Sequence, residues 1–193
     1  MHPSLPVKSV KELVALARAR PGELNYSSSQ AGGSGHLAVE LFKSMAGVNI
    51  VWVPYKGTAA AVTGLVDGEA QLTITDMGLV MPHATSGRLR ALAVTSATPS
   101  ALAPQLPTVA AALPGYESVG RTAMFAPAKT SAAIINRLNQ EVERLLARED
   151  VKEKVANAGS EVAGSSPEQL ASIIKSDIAR TSKLIKDAGI TLD

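Results

Sequence analysis

Residues able to do chemistry collect in three short loops. The first is "SSQAGGSGH" (28–36), the second "PYKGT" (54–58), the third "TDMG" (75–78). Each loop leads into a segment with helical character. The first turn of a helix presents unpaired N–H groups and the positive end of its dipole, worth about 0.3–1 kcal/mol toward an exposed anion. Gly32, Gly33, Gly35 and Gly57 let a ligand approach the backbone closely. The chemistry this suits is capture of a small carboxylate. Gly33 and Ser34 would supply N–H groups, and Ser34 and Ser29 hydroxyls. Lys56 could reach the same anion or remain solvated. His36 could bond a ligand or a loop carbonyl. Asp76 could accept from a ligand amine or hydroxyl, or cap the helix at Met77. Tyr55 suits a pocket wall and Trp52 suits the core.

Rival chemistries fit less well. A Gly/Ser loop before a helix also serves as a plain connector, and Ser34 can be an N-cap whatever the function. No Lys follows Gly33 or Gly35, so the phosphate loop GxxxxGK[ST] is absent, and so is GxGxxG. An acyl-transfer enzyme using Ser34 and His36 is disfavoured, because residues two apart on a helix do not face each other and no GxSxG elbow occurs. The histidines His2, His36 and His83 are scattered and cysteine is absent, which argues against a zinc site. No metal or other cofactor is expected. The net charge of +2 comes without a basic block, and aromatics make up 3%, so nucleic acid is not a suggested partner.

The loops need a scaffold, and the 193 residues, 46% hydrophobic and 19% charged, can bury a core. Ser9-x-x-Glu12 reads as a capping box and Pro21-Gly22 as a helix stop. Strands are expected at 24–28, 49–53, 70–75 and 89–95. Helices are expected between them: one capped by Ser34, with Leu37, Leu41, Phe42 and Met45 on its apolar face, then 58–68 and 77–87. Helix and strand alternating in this way argue for an α/β fold with a parallel sheet covered on both faces. Residues 96–118 are proline-rich and read as a crossing segment with one short helix. A strand at 120–128 and helices at 131–147, 150–158 and 167–188 follow, with Asp150/Glu153 and Ser166/Gln169 as capping boxes. These helices have little sheet to cover. No apolar run reaches the ~18 residues of a membrane-crossing helix, and "MHPSLPVKSV" is not a signal peptide.

The segments "VKSVKELVALARARPGELNYSSS", "GHLAVELFKSMAGVNIVWVPYKG", "SGRLRALAVTS", "LPTVAAALPGY" and "SPEQLASIIKSDI" resemble the Bug family. These are the periplasmic substrate-binding proteins of tripartite tricarboxylate transporters. The resemblance implies a two-lobed flytrap without enzymatic activity. Its ligand would be a di- or tricarboxylate, an acidic amino acid or an aromatic acid, and its partners the membrane permease subunits. It implies that 6–117 is an intact second lobe carrying the "SSQAGGSGH" and "PYKG" loops, with Asp76 near the cleft. Residues 118–193 resemble the C-terminal part of the first lobe, and the Gly-rich "PGG…D" loop of that lobe has no match here. The resemblance implies a periplasmic location, whereas the chain expressed as given would stay cytoplasmic. Where family members often carry "GxGTSSH", this chain has "AGGSGH", which removes two hydroxyl donors. Two further expectations follow: pairing of two copies through apolar helix faces left uncovered, and, as an alternative role, a truncated structural or regulatory module.

Overall fold

Ser9 begins the first helix, α1 (Val10–Ala19), as its spacing predicts. Its Oγ accepts the Glu12 amide at 3.2 Å, and Glu12 Oε2 accepts the Lys8 amide at 2.8 Å. The chain, seen in a computed structural model, is described over residues 1–190. Strand β1 (Asn25–Ser28) and strand β2 (Val51–Pro54) pair in parallel, Asn25 opposite Val51 and Ser28 opposite Pro54. Helix α2 (Ser34–Ala46) connects them and stops at Gly47, whose φ of +62° suits glycine. Helix α3 (Thr58–Val66) follows β2. The chain then returns past the other side of β1, where Leu72 bridges Tyr26 in parallel, and enters helix α4 (Met77–Thr85). Val94 bridges Thr108 in the same sense, just before a single 3₁₀ turn, Val109–Ala111. Helices α5 (Ala132–Leu146), α6 (Glu149–Asn157) and α7 (Pro167–Asp187) complete the described chain.

The mixed α/β architecture with a small parallel sheet is the expected class. The sheet is less regular than expected, because the 70–75 and 89–95 segments contribute one bridge each rather than full strands. Nor does β2 lie under cover on both faces: Val51 is 43% exposed, and β1 is its one strand partner among the described residues. The expected strand at 120–128 is irregular and largely exposed. A strand needs a ladder partner for its backbone groups, and none of the described strands lies beside it.

The described chain forms two compact units. One holds Met1–Gly120 and residues 184–190; the other is Arg121–Lys183. The core of the first is built on Tyr26, Ile50 and Val39, with Val10, Leu13, Ala17, Leu24 and Phe42 around them. The buried stripe of α2 is not the one expected. It runs through Ala38, Val39, Phe42 and Ala46, with His36 at its start, while Met45 is exposed. The small Ala38 admits Tyr116, whose hydroxyl donates to the Ala38 carbonyl at 2.9 Å and whose ring meets Phe42 edge-on. In the second unit Ser166 caps α7 reciprocally. Its Oγ accepts the Gln169 amide at 3.2 Å, and Gln169 Oε1 accepts the Ser166 amide at 2.8 Å. The Asp150/Glu153 capping box does not form: Arg148 holds the cap position, and its guanidinium takes both carboxylate oxygens of Asp150 at 2.9 Å. No residue of α5 or α6 is fully buried, and Met124, Phe125, Ile134, Leu138 and Leu145 are exposed, Phe125 to 73%.

Candidate functional site

Three parallel segments lie side by side in the order 70–75, β1, β2, so their loops open at one edge. From β1 the chain moves one way to β2, then crosses back to the far side of β1. With right-handed crossovers this makes a switch point between β1 and the 70–75 segment, where ligands of parallel α/β sheets bind. Short bonds knit the edge together. Tyr55 donates its amide to Ser28 O at 2.9 Å and Ser27 its amide to Leu72 O at 3.0 Å. Thr73 Oγ1 donates to Ser27 O at 2.7 Å. A Cβ on Gly35 would stand 2.7 Å from the Ile74 carbonyl oxygen, so glycine there is what lets α2 begin against the third segment.

All three helices that start at this edge lack a side-chain cap. The cap residues are Gly33 for α2, Gly57 for α3 and Asp76 for α4, and none bonds the first turn through its side chain. Helix α1 of the same unit is capped by Ser9. First-turn amides left without a side-chain acceptor are the groups an anion would use. Gly57 has φ +104° and ψ +162°, a conformation essentially closed to other residues, and a Cβ there would meet nothing within 4 Å.

Each residue singled out from the sequence now has a place. Ser34 is exposed and is the first residue of α2 rather than its cap, because the Leu37 amide already bonds the Gly33 carbonyl at 2.9 Å. Ser29 is half-buried, with its Oγ 3.1 Å from where a Gly33 Cβ would stand, a fit that favours glycine at 33. Lys56, Gly57 and Asp76 are exposed at the loop edge. Asp76 occupies a cap position, yet its carboxylate makes no capping bond. Tyr55 is turned along α3: its ring fills the space a Gly64 side chain would need, and its hydroxyl donates to Glu69 Oε2 at 2.6 Å. That bond raises the Tyr55 pKa to about 12. His36 is only 4% exposed. Its Nδ1 accepts the Gly32 amide at 3.3 Å, so it bonds a loop N–H rather than a loop carbonyl. Burial pushes its pKa below the usual histidine value, Glu40 pulling the other way and Lys43 adding to the drop. A buried His36 beside an exposed Ser34 is no nucleophile–base pair.

Sequence reasoning overlooked the braces behind the loops. Trp52 packs half-buried against the core, and its indole N–H donates to Ser28 Oγ at 2.8 Å while its ring lies 4.4 Å from that of His36. Thr73 ties the third segment to β1. The period-two pattern of β1 held the signal for Ser28, which shares a face with Tyr26.

The chain resembles several known proteins along nearly its whole length. It is 37% identical over 180 residues to the UPF0065 protein in the tcbD-tcbE intergenic region of Pseudomonas sp. (strain P51), covering 92% of this chain and 54% of that one. The structure of R. palustris Rpa4515 with adipate matches at 40% identity and a TM-score of 0.86, over 98% of this chain and 64% of that one. That of the periplasmic binding protein BugD matches at 28% and 0.79, over 98% and 64%. The chain thus spans between half and two-thirds of the length of these relatives. Residues 1–190 match the family described as Tripartite tricarboxylate transporter family receptor, TctC. With the uncapped helix starts gathered at one sheet edge and a match that runs through every described residue, the chain belongs to the TctC receptor family.

Proposed function

We propose that the chain is the solute-binding component of a tripartite tricarboxylate-type transport system, acting in the periplasm and delivering a small carboxylate to membrane permease subunits. It works by noncovalent capture and not as an enzyme. Residues 6–117 form one gripping lobe, and 118–193 belong to the C-terminal part of the other. The observation that carries this reading is the gathering of three helix starts without side-chain caps at the switch point. Amides of the first turns of α2 and α3 would hold carboxylate oxygens, Ser34 and Ser29 would add hydroxyls, and Lys56 would add charge. Gly57 keeps the backbone accessible at α3, the Gly33 amide being already bonded to the Gln30 carbonyl at 3.1 Å, and Asp76 suits a donor on the ligand. His36 and Tyr55 contribute from behind, by holding the loops. Adipate in the Rpa4515 structure makes a dicarboxylate the first ligand to try.

Titration calorimetry with adipate and a panel of di- and tricarboxylates tests this. The expected result is binding that weakens with added salt and falls roughly five-fold in Lys56→Ala, the effect of losing about 1 kcal/mol of exposed charge attraction. A folded chain whose melting temperature moves with no carboxylate in the panel would refute the capture reading and favour a structural module. The exposed apolar side chains of 121–183 also support pairing of two copies, which a monodisperse monomer in light scattering would rule out.

A further inference from the structure

The stretch from Ser29 to Gly33 must reverse direction between β1 and α2. It does so through a turn closed by the Gly33 amide on the Gln30 carbonyl at 3.1 Å, with Gly32 at φ +73°. A side chain of α2 also holds the turn: the Gly32 amide donates to Nδ1 of His36 at 3.3 Å. The ring that accepts it is fixed in place. It lies 4.4 Å from the Trp52 ring and 6.2 Å from the Tyr26 ring. Trp52 is anchored to β1 through Ser28 Oγ, and Tyr26 to α2 through its 2.7 Å bond to Glu40 Oε1. An imidazole nitrogen that accepts carries no proton, so the neutral ring holds its hydrogen on Nε2. A second proton would go to Nδ1 and set two donors against each other across the Gly32 contact.

We propose that His36 is a positioning residue, a latch that holds the Ser29–Gly33 turn in its Nε2–H form and releases it when the ring becomes doubly protonated. The carboxylate reading enters only in saying what the turn is held for; the latch itself needs no ligand. Charged and titratable groups face the ring from each neighbouring element. On α2 the Glu40 carboxylate favours the imidazolium, and Lys43, 2.6 Å from Glu40, opposes it. From β1 comes the Tyr26 phenol, held by Glu40, and from β2 the uncharged Trp52. Burial outweighs the pull of Glu40 and leaves the ring neutral at pH 7. The sign follows: with the folded value below the usual 6.5, the stabilisation is complete above 6.5 and is lost as pH falls through the lowered value.

Nitrogen NMR of the ring, amide exchange at Gly32 and calorimetry with adipate test this on the full chain. In the wild type Nδ1 should be unprotonated at pH 7, and the protection of the Gly32 amide, its exchange rate taken against the intrinsic rate at each pH, should fall as the ring titrates below its ordinary range. His36→Leu, which keeps bulk without an acceptor, should speed Gly32 exchange roughly five-fold, the equivalent of one hydrogen bond of about 1 kcal/mol. Adipate should weaken by a similar factor. His36→Asn, whose Oδ1 can stand where Nδ1 stood, should restore both even if it melts lower. A proton on Nδ1 at pH 7, or equal Gly32 exchange in the wild type and His36→Leu, overturns the latch. Normal latching in a protein that binds no carboxylate refutes the function proposed above and upholds the latch.

Discussion

Gly57→Ala isolates the backbone geometry that aims α3 at the ligand edge. The residue has φ +104° and ψ +162°, where a side chain costs about 1–3 kcal/mol. Alanine also stiffens the unfolded chain, which offsets about 0.4–1 kcal/mol. The new methyl would meet nothing within 4 Å, so no clash adds to the bill. The net loss centres on about 1.3 kcal/mol, and with a urea slope of about 2 kcal/mol per M the midpoint should drop by about 0.6 M. The chain has one escape, which is to rotate residue 57 into an ordinary extended conformation. That would recover stability but swing the first amides of α3 away, and adipate affinity would fall instead. Gly47→Ala is the control. It removes a glycine at φ +62° at the opposite end of α2, also with open space around it, so stability should drop while affinity holds. Unchanged urea midpoint and unchanged affinity in Gly57→Ala would refute the claim that this turn is held for the site.

Two other outcomes follow from the same coordinates. Gly35→Ala should lower the melting temperature and weaken adipate together, because its methyl would stand 2.7 Å from the Ile74 carbonyl, a backbone atom that cannot rotate aside. Overpacking of about 1–3 kcal/mol there exceeds the roughly 1 kcal/mol that alanine adds as a helix former, and an unchanged melt would contradict the close approach. The three tyrosines should show no phenolate near pH 10 in the folded protein. Tyr26 and Tyr116 are raised by burial, and Tyr55 reaches about 12 through its bond to Glu69. Their stabilisation is therefore complete below pH 10 and lost as pH rises above it, through about 12 for Tyr55 and higher still for Tyr26 and Tyr116. Ultraviolet titration should find its first step near pH 12, absent in Tyr55→Phe, and a native step near pH 10 would defeat the assignment.

Local signals carried much of the fold, and non-local ones carried the site. Ser9 and Ser166 announced their helices because a cap is decided within four residues. The strand at 49–53 was readable from its apolar run, and a short strand was expected at 24–28. The expected strand at 120–128 was not, because a strand exists only where a partner lies beside it. His36 was left between two roles for a similar reason. Directly after a glycine-rich loop it could bond a ligand or a loop group, and its burial depends on Trp52 and Tyr26, which lie far from it or on another element.

The glycines show how far composition alone can take such an argument. Gly32, Gly33, Gly35 and Gly57 all invite the reading that a ligand comes close. Packing explains the middle two without any ligand: Gly33 stands against Ser29 and Gln30, and Gly35 against Ile74. Gly32 turns at positive φ within a loop that His36 already holds. Gly57 differs from these. Its conformation suits glycine alone, a Cβ there would meet nothing within 4 Å, and no capping side chain closes the helix behind it. A conformation that glycine alone adopts freely, with open space where a side chain would stand, makes the start of α3 the first place to test for ligand contact.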